Sequence, residues 1–183
     1  MIVLGIDPGS RRCGFGVVER DGSRLRALEA GVLEPGDGPL ADRLAFLLQA
    51  LGQVIARHRA DAVSVESAFF GLSARSALVL GQARGVALAA AARAGLPVFE
   101  YAPTEVKRAF TGSGRAEKAQ MIRTARALLG VEAERADAAD ALAVAVCHLA
   151  RRVPASAPPA ARRREAQARA ALRPAVRRFG GAR

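Results

Sequence analysis

The chain begins with a short apolar run, Ile2 to Ile6, that stops at the turn sequence Asp7-Pro8-Gly9. A run of this length that ends in turn residues is typical of a buried strand. A second run, Ala62 to Val65, ends at Glu66 in the same way. These two runs alternate with helical patterns further along, and this alternation favours an α/β fold.

The segments around these runs predict the order of the other elements. Two strand-like segments flank the hairpin signal Asp21-Gly22, so the chain should open with a three-stranded antiparallel meander. Leucines at helical spacing between Leu40 and Ile55 predict the first helix. We predict a long helix over 73–93, a strand over 97–101 and helices over 103–110, 115–129 and 137–149.

Chain connectivity predicts which strands are neighbours. A right-handed crossover through the first helix makes the first strand and the Ala62 strand parallel neighbours. Their carboxyl ends, where α/β sheets usually place their chemistry, then bring Asp7 and Glu66 together. We therefore expect a five-stranded mixed sheet with helices on both faces. The helix over 73–93 is apolar or small nearly all round, so a second subunit is a candidate to cover its outer face.

The positive charge of the chain is concentrated at one end. The formal net charge of +11 suggests a polyanionic partner. Ten arginines and one acidic residue, Glu165, lie between residues 151 and 183. The Pro, Ala and Arg composition there cannot form a core. We predict one domain over 1–151 and a disordered basic tail over 152–183, which adds salt-sensitive affinity for DNA or only solubility.

Cysteine content and the start of the chain predict its cellular compartment. Cys13 and Cys147 are too few for a disulfide framework, so we expect two buried, reduced thiols. No segment has the form of a signal peptide or of a membrane span. The sequence therefore predicts a cytoplasmic protein with no membrane partner.

Four carboxylates lie in unusually apolar surroundings. Asp7 and Glu66 end the two buried runs, and Asp137 and Asp140 share one face of an Ala-rich helix. Carboxylates that converge in such surroundings repel one another, and divalent cations offset this repulsion. Oxygen ligands favour Mg²⁺ or Mn²⁺ over zinc. Two such ions can catalyse phosphodiester hydrolysis, which makes these four residues the candidate catalytic and metal-binding set.

Most of these acids also have a structural explanation when each is taken alone. Asp7 can start a turn, Glu66 can be an exposed acid at a strand end, and Asp137 can be a helix N-cap. Asp140 is harder to explain in this way, because it lies one turn inside a helix among alanines. The hypothesis of a metal site therefore depends on the set and not on any one member.

With these residues assembled, the chain resembles the RuvC family of crossover junction endodeoxyribonucleases. The resemblance implies an RNase H-like fold and a homodimer that resolves Holliday junctions by symmetric nicks in two strands of the four-way DNA. It also implies four metal-binding carboxylates, matching those named above, and partnership with the branch-migration proteins RuvA and RuvB. The matching segments occur in order over residues 1 to about 150: Gly5–Gly9, Val65-Glu66, Phe69-Phe70, Ser76–Leu78, Leu80–Gly85, Tyr101–Pro103, Val106-Lys107, Gly112–Gly114, Lys118 and Asp137–Ala143.

Further residues are candidates for contact with DNA. Phe69 and Phe70 follow the second buried run, where a loop would expose a ring for stacking on a base; the alternative is that both are core. Lys107 and Lys118 match family positions that contact the DNA backbone; the alternative is solvated surface charge. Ser113 lies between two glycines before a predicted helix, and this position suggests a phosphate-binding site. The remaining candidates are Ser73, where the family often has Asn, and Arg75, Arg84, Arg108 and Arg115.

Three other functions remain open from the residues alone. An actin-like ATPase has a similar Gly-Ile-Asp-Pro-Gly loop, but it needs a duplicated domain and a second phosphate loop, which this chain lacks. A non-catalytic DNA-binding protein would use the basic tail as its main contact. Another RNase H-like nuclease would cut simple duplex or hybrid, and only the resemblance argues against it.

Overall fold

One mixed sheet forms the centre of the protein, whose computed structural model describes residues 1–67, 73–131 and 136–151. The strand order is β3-β2-β1-β4-β5; β1, β2 and β3 pair antiparallel, and β4 pairs parallel with both β1 and β5. The predicted meander and the parallel pairing of the two buried runs are both confirmed. The strands are β1 (Ile2–Asp7), β2 (Cys13–Asp21), β3 (Arg24–Leu33), β4 (Ala62–Glu66) and β5 (Val98–Tyr101).

Helices cover both faces of this sheet. Successive side chains along a strand point to opposite faces, so Val3 packs in one core cluster and Leu4 in the other. One face is covered by α1 and α2, and the other by α3, α4 and α5. The five helices are α1 (Leu40–His58), α2 (Ala74–Arg93), α3 (Pro103–Thr111), α4 (Lys118–Leu129) and α5 (Ala136–Ala150).

The helix α5 packs unusually closely on the sheet. A Cβ atom added to Gly5 of β1 would overlap the carbonyl oxygen of Ala141, and one added to Gly14 of β2 would overlap that of Asp137. The hydroxyl of Ser64 in β4 donates to the carbonyl oxygen of Val144 at 3.2 Å. Glycines in the strands thus bring the first turn of α5 against the carboxyl end of β1.

The predicted elements are all present, with one clear difference at a boundary. The helix predicted from Arg115 begins at Lys118, with Glu117 as its N-cap, and Arg115 lies in the preceding turn. Cys13 and Cys147 are buried free thiols, as expected. Within the described ranges, no helix has the length and apolar character needed to cross a membrane. Residues 152–183, the predicted tail, lie outside the described residues.

Candidate active site

Two of the predicted acids lie at the ends of adjacent parallel strands. Ile6 of β1 pairs with Val65 of β4, so Asp7 and Glu66 come next to each other in the sheet. The pKa of Asp7 is raised from its ordinary 3.8 to about 7, first by burial and then by the negative charges of Glu66, Asp140 and Asp137, in that order. Asp7 therefore lies close enough to the other three candidate carboxylates for each of them to raise its pKa.

The other two shifted acids have the same physical cause. Burial and the charge of Asp140 raise the pKa of Glu66 to about 7, against the opposing effect of Lys107. Burial also raises the pKa of Asp140, where Lys118 opposes the shift most strongly and Asp137 adds to it. Each of these carboxylates is costly to ionise in the metal-free protein, because water is excluded and like charges are close.

The donor chemistry of this cluster fits a hard divalent cation. All four candidates offer oxygen, and buried carboxylates that repel one another are stabilised by a cation. Among the described residues, however, no group of three or more Asp, Glu, His or Cys side chains is placed so that it could hold a metal ion as it stands. The fit to Mg²⁺ therefore rests on the oxygen donors and on the electrostatic coupling of the acids, and Mg²⁺ usually binds one or two carboxylates and keeps several water ligands.

Two lysines from neighbouring helices lie close to these acids. Lys107 of α3 is half-buried and lowers the pKa of both Glu66 and Asp140. Lys118 is the exposed first residue of α4 and lowers the pKa of both Asp7 and Asp140. The structure thus brings both predicted DNA-contacting lysines to the acidic cluster, on the face of the sheet that α3, α4 and α5 cover.

The two candidate serines have local structural partners. The hydroxyl of Ser73 caps α2, because it accepts a hydrogen bond from the Ser76 amide at 3.2 Å. The hydroxyl of Ser113 accepts from the Arg115 amide at 3.3 Å. Gly112 ends α3 in the left-handed region, with φ of 81°. The segment does not lead directly into a helix as predicted, since it caps the end of α3 and α4 begins only at Lys118, and a phosphate contact at Ser113 stays a prediction.

The aromatic and arginine candidates divide into three groups. Phe69 and Phe70 lie outside the described residues. Arg84 forms an ion pair with Glu100. The other three candidate arginines, Arg75, Arg108 and Arg115, are exposed.

The structure also groups arginines that the sequence reasoning did not single out. Arg11, Arg12 and Arg43 line a cleft together with Arg75, next to the end of β1. The available signal was the Arg-Arg pair directly after the Asp7 turn, but the approach of Arg43 depends on how α1 packs.

Comparison with known proteins gives one consistent family. The family described as crossover junction endodeoxyribonuclease RuvC matches residues 3–148. The RuvC of Anaeromyxobacter sp. (strain K) is 71% identical over 152 residues, which are 83% of this chain and 82% of that relative. The RuvC of Myxococcus xanthus (strain DK1622) is 52% identical over 188 residues, covering 97% of this chain and 98% of the relative.

A solved structure agrees in fold as well as in sequence. It is the T. thermophilus RuvC in complex with a Holliday junction substrate, 37% identical with a TM-score of 0.76. The match covers 81% of this chain and 93% of that one. The predicted RNase H-like fold is confirmed by this likeness. The chain therefore belongs to the RuvC family of crossover junction endodeoxyribonucleases.

Proposed function

We propose that this chain resolves Holliday junctions by nicking two strands of the four-way DNA symmetrically, with divalent cations held by Asp7, Glu66, Asp137 and Asp140. Family membership makes the chain a crossover junction endodeoxyribonuclease, and nucleases of this family depend on a metal. The observation that carries the proposal is the buried acidic cluster, in which two carboxyl groups have pKa values of about 7.

The four acids divide naturally into two ligand groups around Asp7. Glu66 has the largest electrostatic effect on Asp7 and ends the neighbouring strand, while Asp140 and Asp137 approach from α5. We assign Asp7 as the ligand shared by both groups. Two Mg²⁺ ions, for which Mn²⁺ is a substitute, would supply an activated water and neutralise the leaving oxygen. Because Asp7 and Glu66 retain protons near pH 7, cation binding should weaken as the pH falls through that value.

The lysines beside the cluster have a separate role in this proposal. Lys107 and Lys118 favour the ionised form of the carboxylates and carry charge that suits a phosphate oxygen. Both helices approach from the same face, so a DNA backbone that lies across the acids would meet both lysines. Phe69 or Phe70 is proposed to stack on a base at the opened junction, and Arg75, Arg108, Arg115 and the basic tail to add backbone contacts.

Symmetric cutting of two strands needs two active sites, so we propose a homodimer. The outer face of α2 supports this, because Leu78 is 70% exposed and lies beside Ala74, Ala77 and Gly81. An exposed apolar surface of this kind is typical of a protein contact. The family resemblance extends the proposal to a cytoplasmic enzyme that works with RuvA and RuvB.

The test compares a synthetic four-way junction with linear duplex and RNA–DNA hybrid of matching sequence. Each substrate is incubated with the full chain and Mg²⁺, Mn²⁺ or chelator. We expect paired, symmetric nicks in the junction alone, which disappear with chelator. Equal cutting of the linear substrates would favour the broader nuclease, and junction binding without cutting under either metal would favour the non-catalytic alternative.

The Asp7→Asn variant tests the assignment of the acids. It keeps the shape of the side chain but replaces one carboxylate oxygen with an NH₂ group, so the side chain can no longer carry a negative charge. We therefore expect junction binding to persist and cleavage to be lost. Gel-shift and cleavage assays on the same junction measure the two properties separately. Cleavage at the wild-type rate by this variant would contradict the proposed role of Asp7.

A further inference from the structure

A cleft rich in arginine lies on the other face of the sheet from the two lysines. It has a volume of about 940 Å³ and is formed by the loop after β1, the segment between β3 and α1, and the first turns of α1 and α2. We call it the arginine cleft. Its arginines outnumber its acids, Glu34 and Asp37, by two; they are Arg11, Arg12, Arg43 and Arg75.

The loop after β1 holds two of these arginines near the acidic cluster. A Cβ atom at Gly9 would overlap the carbonyl oxygen of Arg12, so the loop folds back on itself immediately after Asp7. Arg11 and Arg12 follow Asp7 by only four and five residues. A tight turn therefore sets the backbone positions of Arg11 and Arg12 relative to Asp7.

Arg43 joins α1 to this loop. One of its terminal nitrogens, Nη1, donates to the carbonyl oxygen and to the hydroxyl of Ser10, both at 3.4 Å. Its Nε is buried and has no hydrogen-bond acceptor among the described residues. A buried N–H group without an acceptor costs free energy. The Arg43 guanidinium therefore binds the loop through Nη1 but keeps one buried N–H group without a hydrogen bond to the described part of the chain.

The acids of the cleft hold its arginines only weakly. Arg11 contacts Asp37 at 2.6 Å, but these side chains are 72% and 89% exposed. Arg12 lies 3.6 Å from Glu34, and these side chains are 66% and 46% exposed. Exposed ion pairs contribute little to stability, because water and salt screen them. Both arginines can therefore exchange a carboxylate for a phosphate at little cost.

We infer that the arginine cleft binds the phosphodiester backbone of a junction arm beside the strand that is cut. The cleft is lined by the loop that follows Asp7, whereas the two lysines approach from the opposite face of the sheet, so positive charge lies on both sides of the carboxyl end of β1. Small-molecule sites are mostly apolar and aromatic, whereas the described lining here has four arginines and no aromatic ring. This inference rests on the proposed function, since it assumes that junction DNA is the ligand.

The test measures how junction binding depends on salt. The full chain is titrated onto a fluorescent four-way junction in chelator, at salt concentrations between about 50 and 200 mM, the range over which phosphate contacts strongly affect affinity. The double variant Arg11→Gln, Arg12→Gln should bind more weakly, with a log–log salt slope shallower by about 1.8, because each phosphate contact contributes about 0.9. Arg43→Gln should reduce the slope by about 0.9.

The hairpin between β2 and β3 provides a matched control. Arg24→Gln, Arg26→Gln removes the same charge from the opposite end of the sheet, where Arg26 is in an exposed ion pair with Glu19. We expect its slope to equal that of the wild type. Equal slopes and affinities for the cleft and hairpin variants would overturn the inference. A wild-type chain that neither binds nor cuts junctions would instead overturn the proposed function.

A further variant distinguishes lost contacts from lost folding. Asp37→Asn removes an acid that competes with phosphate for Arg11, so it should tighten junction binding. A general defect in folding cannot produce this gain. Unchanged or weaker binding by Asp37→Asn, in a protein with wild-type circular dichroism, would count against the cleft as a phosphate site.

Discussion

Replacing Asp7 with Asn should stabilise the metal-free protein at alkaline pH while it abolishes cleavage. The pKa of Asp7 rises from 3.8 to about 7 on folding, mainly because of burial and the nearby Glu66. The folded protein therefore retains a proton that the unfolded chain has released. The free energy of unfolding must then fall as the pH rises from about 4 to 7, and the penalty is complete above that range.

The size of this penalty follows from the pKa shift. Each pKa unit corresponds to about 1.4 kcal/mol, so a shift of this size sets an upper limit of about 4 kcal/mol. Asp7 is not fully buried, and solvent around the ionised group lowers the cost. We expect the variant to be more stable than the wild type by roughly 1–3 kcal/mol at pH 8 and nearly equal to it at pH 4.

Urea unfolding followed by far-ultraviolet circular dichroism measures this difference, since the chain has no Trp. Both proteins are unfolded in chelator at pH 4 and pH 8. Asp21→Asn is the control, because it removes a carboxylate from the exposed end of β2 and leaves the turn residues Gly22 and Ser23 unchanged. A variant that is less stable than the wild type by the same amount at both pH values would refute the reasoning. Added Mg²⁺ should stabilise the wild type and not Asp7→Asn.

Three other predictions test the packing, the lysines and the tail. Gly5→Ala should force α5 away from β1, lower stability by about 1–3 kcal/mol or more in thermal denaturation and reduce cleavage, whereas Gly52→Ala, which has open space in α1, should be neutral or stabilising. Lys118→Met should move the pH profile of cleavage upward, because the cation that lowers the pKa of Asp7 and Asp140 is lost; an unchanged profile would contradict this role. Removing residues 153–183 should leave junction cutting intact and lessen the salt dependence of duplex binding, and loss of all DNA binding would favour the non-catalytic alternative.

The sheet could be predicted from local patterns, because each strand carries its own signal. The β2–β3 hairpin is an example: Asp21 pairs with Arg24, so the turn lies one residue later than the Asp21-Gly22 signal, and Gly22 has φ of 57°, which glycine adopts at no steric cost. The start of α4 could not be predicted in the same way. A glycine between two helical patterns fits either the end of one helix or the approach to the next, and Gly112 proves to be the former.

The meeting of the four acids was predictable only in part. The parallel pairing of two buried runs is enough to place Asp7 beside Glu66. The approach of Asp140 depends on strand glycines, whose usual effect is to weaken a strand. Their contribution here is visible only once α5 is seen against them. The arginine cleft is a still clearer case, because Arg43 and Ser10 are 33 residues apart and meet through packing alone.

The same close packing explains how the fold tolerates an unfavourable site. Buried carboxylates that repel one another would separate if the elements carrying them were free to move. Glycine contacts hold α5 against β1 and β2, so relaxation by moving the helix would sacrifice the packing of a core helix. The site can still lower its energy by binding positive charge. The raised pKa values of Asp7 and Glu66 show this for protons, which both carboxyl groups hold up to a higher pH than usual. In the proposed function a divalent cation competes with those protons, so we expect the rigidity of α5 to increase metal affinity.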